Sequence, residues 1–316
     1  MTNINVPAKA CGRFDLKINR ANGSVEQYEF ANNLLNNFFS NSVDLLVCFV
    51  GTDSSVSNTD TSLTSLGYTT SRALSSNYTV DSAGVVSFNY VNTYTFSAGA
   101  IIGNMSCIGL SSSAAISGTN LKVKSLIKDV NGDPTTITAT ASDQIIVTHT
   151  LNLKFNQHQN LGTFVVDGVT YQADFYDIYV ANGSGVGATL WPIAPALYFQ
   201  SGEPNMYPGI ASGFTPPTVP TYISSQLVVD SGRRYNGAAA DISRVFNATL
   251  GKMTTTYSFT MQANTNLASN NPIAVICGSN SDGGTLAHWA VQFTPPLPKT
   301  PSIAYVFSVS FSISRA

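Results

Sequence analysis

Ile303-Ala304-Tyr305-Val306-Phe307-Ser308-Val309-Ser310-Phe311-Ser312-Ile313-Ser314 alternates large apolar residues with serine from Phe307 onward, and a period of two places Tyr305, Phe307, Val309, Phe311 and Ile313 on one face of an extended chain. Val85-Val86-Ser87-Phe88-Asn89-Tyr90-Val91 has the same period. Between such runs stand Asn22-Gly23, Asn131-Gly132, Asp167-Gly168, Asn182-Gly183 and Asn236-Gly237, pairs that tolerate the positive φ angles of tight hairpin turns. Strand, turn, strand therefore predicts an all-β chain. One helix is expected, over Tyr28 to Phe39, where Phe30, Leu34, Leu35 and Phe38 fall on one side at helical spacing.

The 316 residues are 43% hydrophobic, enough for a substantial core, but only 10% charged. An average soluble protein carries about 25% charge, so Ser, Thr, Asn and Gly must supply most of the wetted surface. Fifteen Lys and Arg are scattered singly in a net charge of −2, which excludes the basic stripe that nucleic-acid binding requires. Met1 to Lys9 has no apolar signal region, and the expectation is synthesis and folding in a cytoplasm. Cys11, Cys48, Cys107 and Cys277 lie far apart without a CxxC pair, which predicts reduced, mostly buried thiols and neither a zinc site nor a disulfide framework. The uncharged stretch between Asp81 and Lys122 is broken by Asn89, Asn92, Ser97 and Asn104, so it reads as strands and predicts no membrane insertion.

An internal echo suggests a duplication. Thr93-Tyr94-Thr95-Phe96-Ser97 resembles Thr256-Tyr257-Ser258-Phe259-Thr260, and each is followed by a closing pair of strands around a Pro-containing turn. Gly12-Arg13-Phe14 and Gly162-Thr163-Phe164 are the matching starts. The expected organisation is two antiparallel β-sandwich domains of jelly-roll type, residues 1–157 and 158–316, joined near Gln157 to Gly162. The second would carry a loop insertion at 186–222, rich in Pro and aromatic residues.

Several short blocks in order resemble a recurrent family of virion proteins of tailed bacteriophages, described as tail-fibre, collar or minor structural components. The blocks are Val50-Gly51-Thr52-Asp53 through Leu63, Tyr94-Thr95-Phe96 with Gly99 to Asn104 and Ile108-Gly109-Leu110, and Leu126 to Asp129 with Pro134 to Thr138 and Asp143-Gln144-Ile145. The resemblance covers roughly 30–155 and, more weakly, Phe293 to Arg315. It implies a non-enzymatic assembly protein of the virion, made in the bacterial host cytoplasm and present in many copies. Its partners would be copies of itself and other virion proteins of the portal, collar or tail. Cys107 and the section 186–222 depart from the pattern. The alternative is an adhesin at a fibre tip that binds a host-surface polysaccharide or receptor.

The residues themselves offer little chemistry, and no cofactor, metal ligand set or catalytic residue is assigned. His149 lies in an alternating strand, His158 in the expected connector and His288 beside Trp289; none has a neighbouring Cys, His or paired carboxylate in sequence to orient it. No GxSxG elbow occurs. Asp129-Val130-Asn131-Gly132-Asp133 resembles the front of a calcium loop, but Pro134 follows and Thr140 stands where a bidentate Glu is needed, so a hairpin turn fits better. Asp174 and Asp177 offer a carboxylate pair, more readily read as structural carboxylates, and Gly183 to Gly187 resembles a phosphate-cradling loop but reads better as a flexible one. The candidate interaction residues are Trp191, Tyr198, Tyr207, Phe214 and Tyr222, set among prolines at 192, 195, 204, 208, 216, 217 and 220. These rings either cap the second sandwich, contact a protein partner or stack on sugars. The prolines bar the segment from a sheet centre and lower the entropy lost on docking.

Overall fold

Strand β1 (Thr2–Asn19) is the element on which the others are hung. Its inward residues Phe14, Leu16 and Ile18 are fully buried, and two different strands share one of its edges end to end. Gly12 to Asn19 pair antiparallel with β2 (Val25–Leu34) through the turn at Asn22-Gly23, and Thr2 to Ala10 pair parallel with β19 (Tyr305–Arg315). The opposite edge is taken by β11 (Gln144–Asn156), antiparallel from Ala8↔Phe155 to Asn19↔Gln144. The computed structural model describes residues 2–40, 45–116, 118–156, 158–177, 207–211, 241–261, 273–279, 289–298 and 304–316. Among these the fold is all-β and sandwich-like, with one five-residue helix, α1 (Asn36–Ser40).

The helix expected over Tyr28 to Phe39 is therefore mostly strand. Phe30 and Leu34 are four apart, a spacing that suits both the helical and the extended period, and the ladder with β1 decides between them. Tyr28 sits opposite Leu16 and Phe30 opposite Phe14, so β2 alternates inward and outward until Leu34. Only then does the chain turn into α1, whose Phe38 and Phe39 are buried.

The first half continues through β3 (Val47–Gly51), β4 (Ser65–Thr69), β5 (Arg72–Val80), β6 (Val85–Phe96), the short β7 (Gly103–Met105), β8 (Cys107–Ser111), β9 (Leu121–Leu126) and β10 (Ile137–Ala139) before β11. Hydrogen bonding gives the order β5-β6-β11-β1-β2-β9-β8-β3-β4, with β7 and β10 pairing separately. The two ends of that order are consecutive in the chain, so the sheet curls back on itself. The Thr95 N–H donates to the Ser71 carbonyl at 3.1 Å and the Thr69 hydroxyl to the Thr95 carbonyl at 3.0 Å, which tie the β4–β5 link to β6. The uncharged stretch after Asp81 is indeed strands, and no described helix is long and apolar enough to cross a membrane.

The second half runs β12 (His158–Val166), β13 (Val169–Asp177), β14 (Tyr207–Ala211), β15 (Asp241–Asn247), β16 (Lys252–Met261), β17 (Ile273–Ser279), β18 (Trp289–Leu297) and β19. One sheet has the order β12-β13-β18-β17-β14, and β15-β16-β19 joins the larger sheet through β1. The hydrogen bonding thus runs across the boundary expected near 157–162. Strand for strand, the first order matches β1-β2-β9-β8-β3 and the second matches β5-β6-β11. The registers agree as well. Phe96, Tyr94 and Asn92 face Ile145, Val147 and His149, while Phe259, Tyr257 and Thr255 face Phe307, Val309 and Phe311.

One hydrophobic core serves both halves, since Phe14, Tyr94, Val147 and Leu151 belong to the same buried cluster as Phe175, Phe293, Val309 and Phe311. A smaller cluster of Leu35, Val47, Phe49, Leu63, Cys107 and Leu121 lies apart from it. Each large apolar side chain buried in this way contributes roughly 1.5–3 kcal/mol before the entropy of ordering the chain is charged against it. In β19 the serines between the apolar residues are buried too: Ser310 shares a hydrogen bond with Thr256 at 2.8 Å, and Ser312 donates to Asn5 at 3.4 Å.

Candidate interaction surface and the ionisable groups

Of the five candidate interaction residues, Trp191, Tyr198, Phe214 and Tyr222 lie outside the described residues. Tyr207 opens β14, where its Cα partner is Ser279. That strand is the edge of the five-stranded sheet, and Pro208 within it fits that place because an edge tolerates a missing backbone donor. The Gly183 to Gly187 loop and His288 are also outside the described residues.

His149 points into the core. It is fully buried, its ring centroid is 5.1 Å from that of Phe14, and neither ring nitrogen has a hydrogen-bond partner. Burial pushes its pKa down to about 3, so the ring is neutral near pH 7. Its cross-strand neighbour Asn92 is equally buried and equally unpartnered, as is the Thr255 hydroxyl at the matching place in β16.

His158 behaves differently. A one-residue bulge between Asn160 and Thr163 shifts the β12–β13 register, setting His158 opposite Tyr176, against whose ring it stacks at 4.7 Å. Its Nε2 lies 3.2 Å from Asp174 Oδ1, and the Gln172 amide donates to Asp174 Oδ2 at 2.7 Å. Asp174 is thus held by its neighbours on the hairpin, with both oxygens engaged. Asp177 ends β13, and its side chain lies outside what the structure describes.

Two ion networks pin loops to strands. Arg20 forks onto both oxygens of Glu26 at 2.8 Å and reaches Asp143 Oδ2 at 2.8 Å and the Thr138 carbonyl at 2.7 Å. The Glu26 carboxylate bonds raise the Arg20 pKa further, and the guanidinium lowers that of Glu26 against the opposing effect of burial. Asp143 is lowered first by the Thr140 backbone N–H, then by the Thr140 hydroxyl and Arg20. Lys124, almost fully buried, places its ammonium 2.7 Å from Asp53 and 2.8 Å from Asp60 and so ties the 52–64 loop to β9. Burial works to lower its pKa, but the two carboxylates overcome this and raise it.

A shallow cleft of about 770 Å³ lies between β2 and the turn at 129–132, lined by Glu26, Tyr28, Glu29, Asp129 and Val130 among others. Its polar groups are engaged within the fold: Tyr28 donates to Glu26 at 3.1 Å, and Asp129 accepts the Asn131 and Asp133 N–H groups at 2.9 and 3.0 Å. The calcium-like run at Asp129 is thus a tight turn, closed by the Gly132 N–H on the Asp129 carbonyl at 3.0 Å. Among the described residues no group of three or more His, Cys, Asp or Glu is arranged to hold a metal ion.

No family model, curated protein or solved structure matches the chain.

Nothing in the sequence pointed to the Arg20 and Lys124 ion networks or to the His158–Asp174 contact. Arg20 and Asp143 are over a hundred residues apart, as are no two residues that a local pattern would link, and the His158–Asp174 contact depends on the bulge. Of the thiols, Cys48 and Cys107 are buried and free, with burial pushing both pKa values up, Cys107 to about 11. Cys11 sits on an outward position of β1 and is exposed, so two of the three thiols whose side chains are described are buried, in line with the expectation of mostly buried thiols.

Proposed function

We propose that the chain is a non-enzymatic structural component of a tailed-bacteriophage particle, in the collar, tail or tail fibre, and that it works in many copies. We further read its two matching strand orders as an internal duplication of one sandwich. The observation that carries the functional reading is how the ionisable side chains are used. Arg20, Glu26 and Asp143 fasten one corner of the sheet, Lys124 with Asp53 and Asp60 fastens a loop, and His149 is sealed in the core. They stabilise strands and leave a weakly charged surface, which offers little repulsion between identical copies. The ordered blocks from Val50 to Ile145 and the Pro-stiffened aromatics of 186–222 supply the particle context and a contact segment. On this reading the protein is made in the host cytoplasm and ends in the virion.

Stoichiometric mass analysis of purified particles tests it. Several copies per particle are expected; a single copy, or none, overturns the proposal. Free protein that binds host cells and blocks infection would instead favour the fibre-tip adhesin.

A further inference from the structure

Among the described residues, one difference between the two matching strand orders concerns the opening strand. In the first, the opening strand β1 lies antiparallel against the long strand β11. In the second, the corresponding opening strand β12 does not lie against β19; among the described residues it pairs only with β13. The edge of β19 that β12 would fill is occupied instead by Thr2 to Ala10, and in the parallel sense. The second sheet is thus completed by a strand borrowed from the other end of the chain.

The borrowed strand is attached in two stages. From Ala8 onward β1 is gripped on its other edge by β11, but among the described residues Thr2 to Pro7 have β19 as their only strand partner. Val6 is buried and Asn5 accepts a hydrogen bond from Ser312 at 3.4 Å, so these six residues are seated in β19 without being held by anything local in sequence. Pro7, at the junction between the two stages, brings no backbone donor to its rung, and a parallel ladder is slightly weaker per residue than an antiparallel one.

We infer that Thr2–Pro7 is an exchangeable arm that, in the assembled array, adds to β19 of a neighbouring copy. The partner it fits is a second copy of this chain, and the inference rests on the multi-copy reading above. The ladder is the same in kind whether made within a chain or between chains, so exchange forfeits only the rungs whose residues must bridge the gap from Ala8, and it is favoured by the local concentration that an array raises. Six extended residues reach about 20 Å from the Ala8 anchor, which sets how near the neighbouring β19 must stand.

The test uses the full chain incorporated into particles. Two forms carrying different affinity tags are co-expressed during particle assembly, one with Asn5→Cys and the other with Ser310→Cys, both with the exposed Cys11→Ser. Asn5 and Ser310 are direct Cα partners on adjacent strands, within reach of a disulfide. A control chain carrying all three changes reports the ladder within one molecule. On mild oxidation the inference expects a covalent dimer that bears both tags and requires both introduced cysteines. Particles that contain both tags, with no disulfide between chains while the control closes within one chain, overturn the exchange and leave the multi-copy reading standing. Particles from which both forms are absent overturn the two together.

Discussion

Replacing His149 by Leu should remove most of one pH-dependent component of stability. In the folded protein burial holds the ring pKa near 3, whereas in the unfolded chain it returns to about 6.5. Between those values the unfolded chain binds a proton that the folded one does not, so stability rises with pH across the window and is lost as pH falls below 6.5. The slope is half its limit at pH 6.5 and approaches about 1.4 kcal/mol per pH unit below it, so that roughly 2.3 kcal/mol of stability disappears between pH 6.5 and 4.5 from this residue alone. Leu has nearly the volume of His, and it removes two buried nitrogens that have no partner, so at pH 7 the variant should be at least as stable, by up to about 1–2 kcal/mol. Urea unfolding at pH 7.0, 6.0, 5.0 and 4.5 reads the difference between the two proteins, in which the other titrating groups cancel. The expected result is a gap that widens in favour of the variant as pH falls. Parallel curves would refute the reasoning, as would a His149 ring resonance that titrates near pH 6.5 in the folded state.

Gly51→Ala should destabilise by about 2–3 kcal/mol in thermal or urea unfolding, because a Cβ there would stand 2.5 Å from both Leu63 Cδ1 and the Thr64 carbonyl, and the backbone must shift to admit it. Lys124→Met should cost about 2 kcal/mol, less than for a fully buried pair because Asp53 and Asp60 are partly solvated; adding Asp53→Asn and Asp60→Asn should recover part of the loss. Amide exchange at Thr52, whose N–H donates to the Thr64 carbonyl at 2.9 Å, should speed up in the single variant before exchange in β11 does. Trp191→Ala should reduce incorporation into particles at an unchanged melting temperature; a clearly lower melting temperature with normal incorporation would make that ring a cap on the core.

The all-β fold was legible because its signal is local. Alternation in β6 and β19 and the turns at Asn22-Gly23 and Asp167-Gly168 each depend on a few adjacent residues, and the positive φ at both Asp167 and Gly168 is what that pair predicts. The Tyr28 to Phe39 stretch misled because residues four apart satisfy two periods at once, and only the partner strand chooses. The parallel union of β1 with β19 left no local trace, since nothing in Thr2 to Ala10 names a partner some three hundred residues away. For the same reason the Arg20–Asp143 and Lys124–Asp53 pairs were invisible: each needs the register of strands whose order the sequence does not spell out. A two-residue turn at Asp167-Gly168 with no bulge would set His158 opposite Asp177, so even a correct hairpin misplaces the one described histidine that meets a carboxylate.

The most direct test of the structural reading is a reconstruction of the purified particle, searched for the described sheets of this chain. Several copies are expected at symmetry-related positions in the collar, tail or fibre, packed against one another through their sheet edges. Particles whose density holds no such repeated sandwich would contradict that reading.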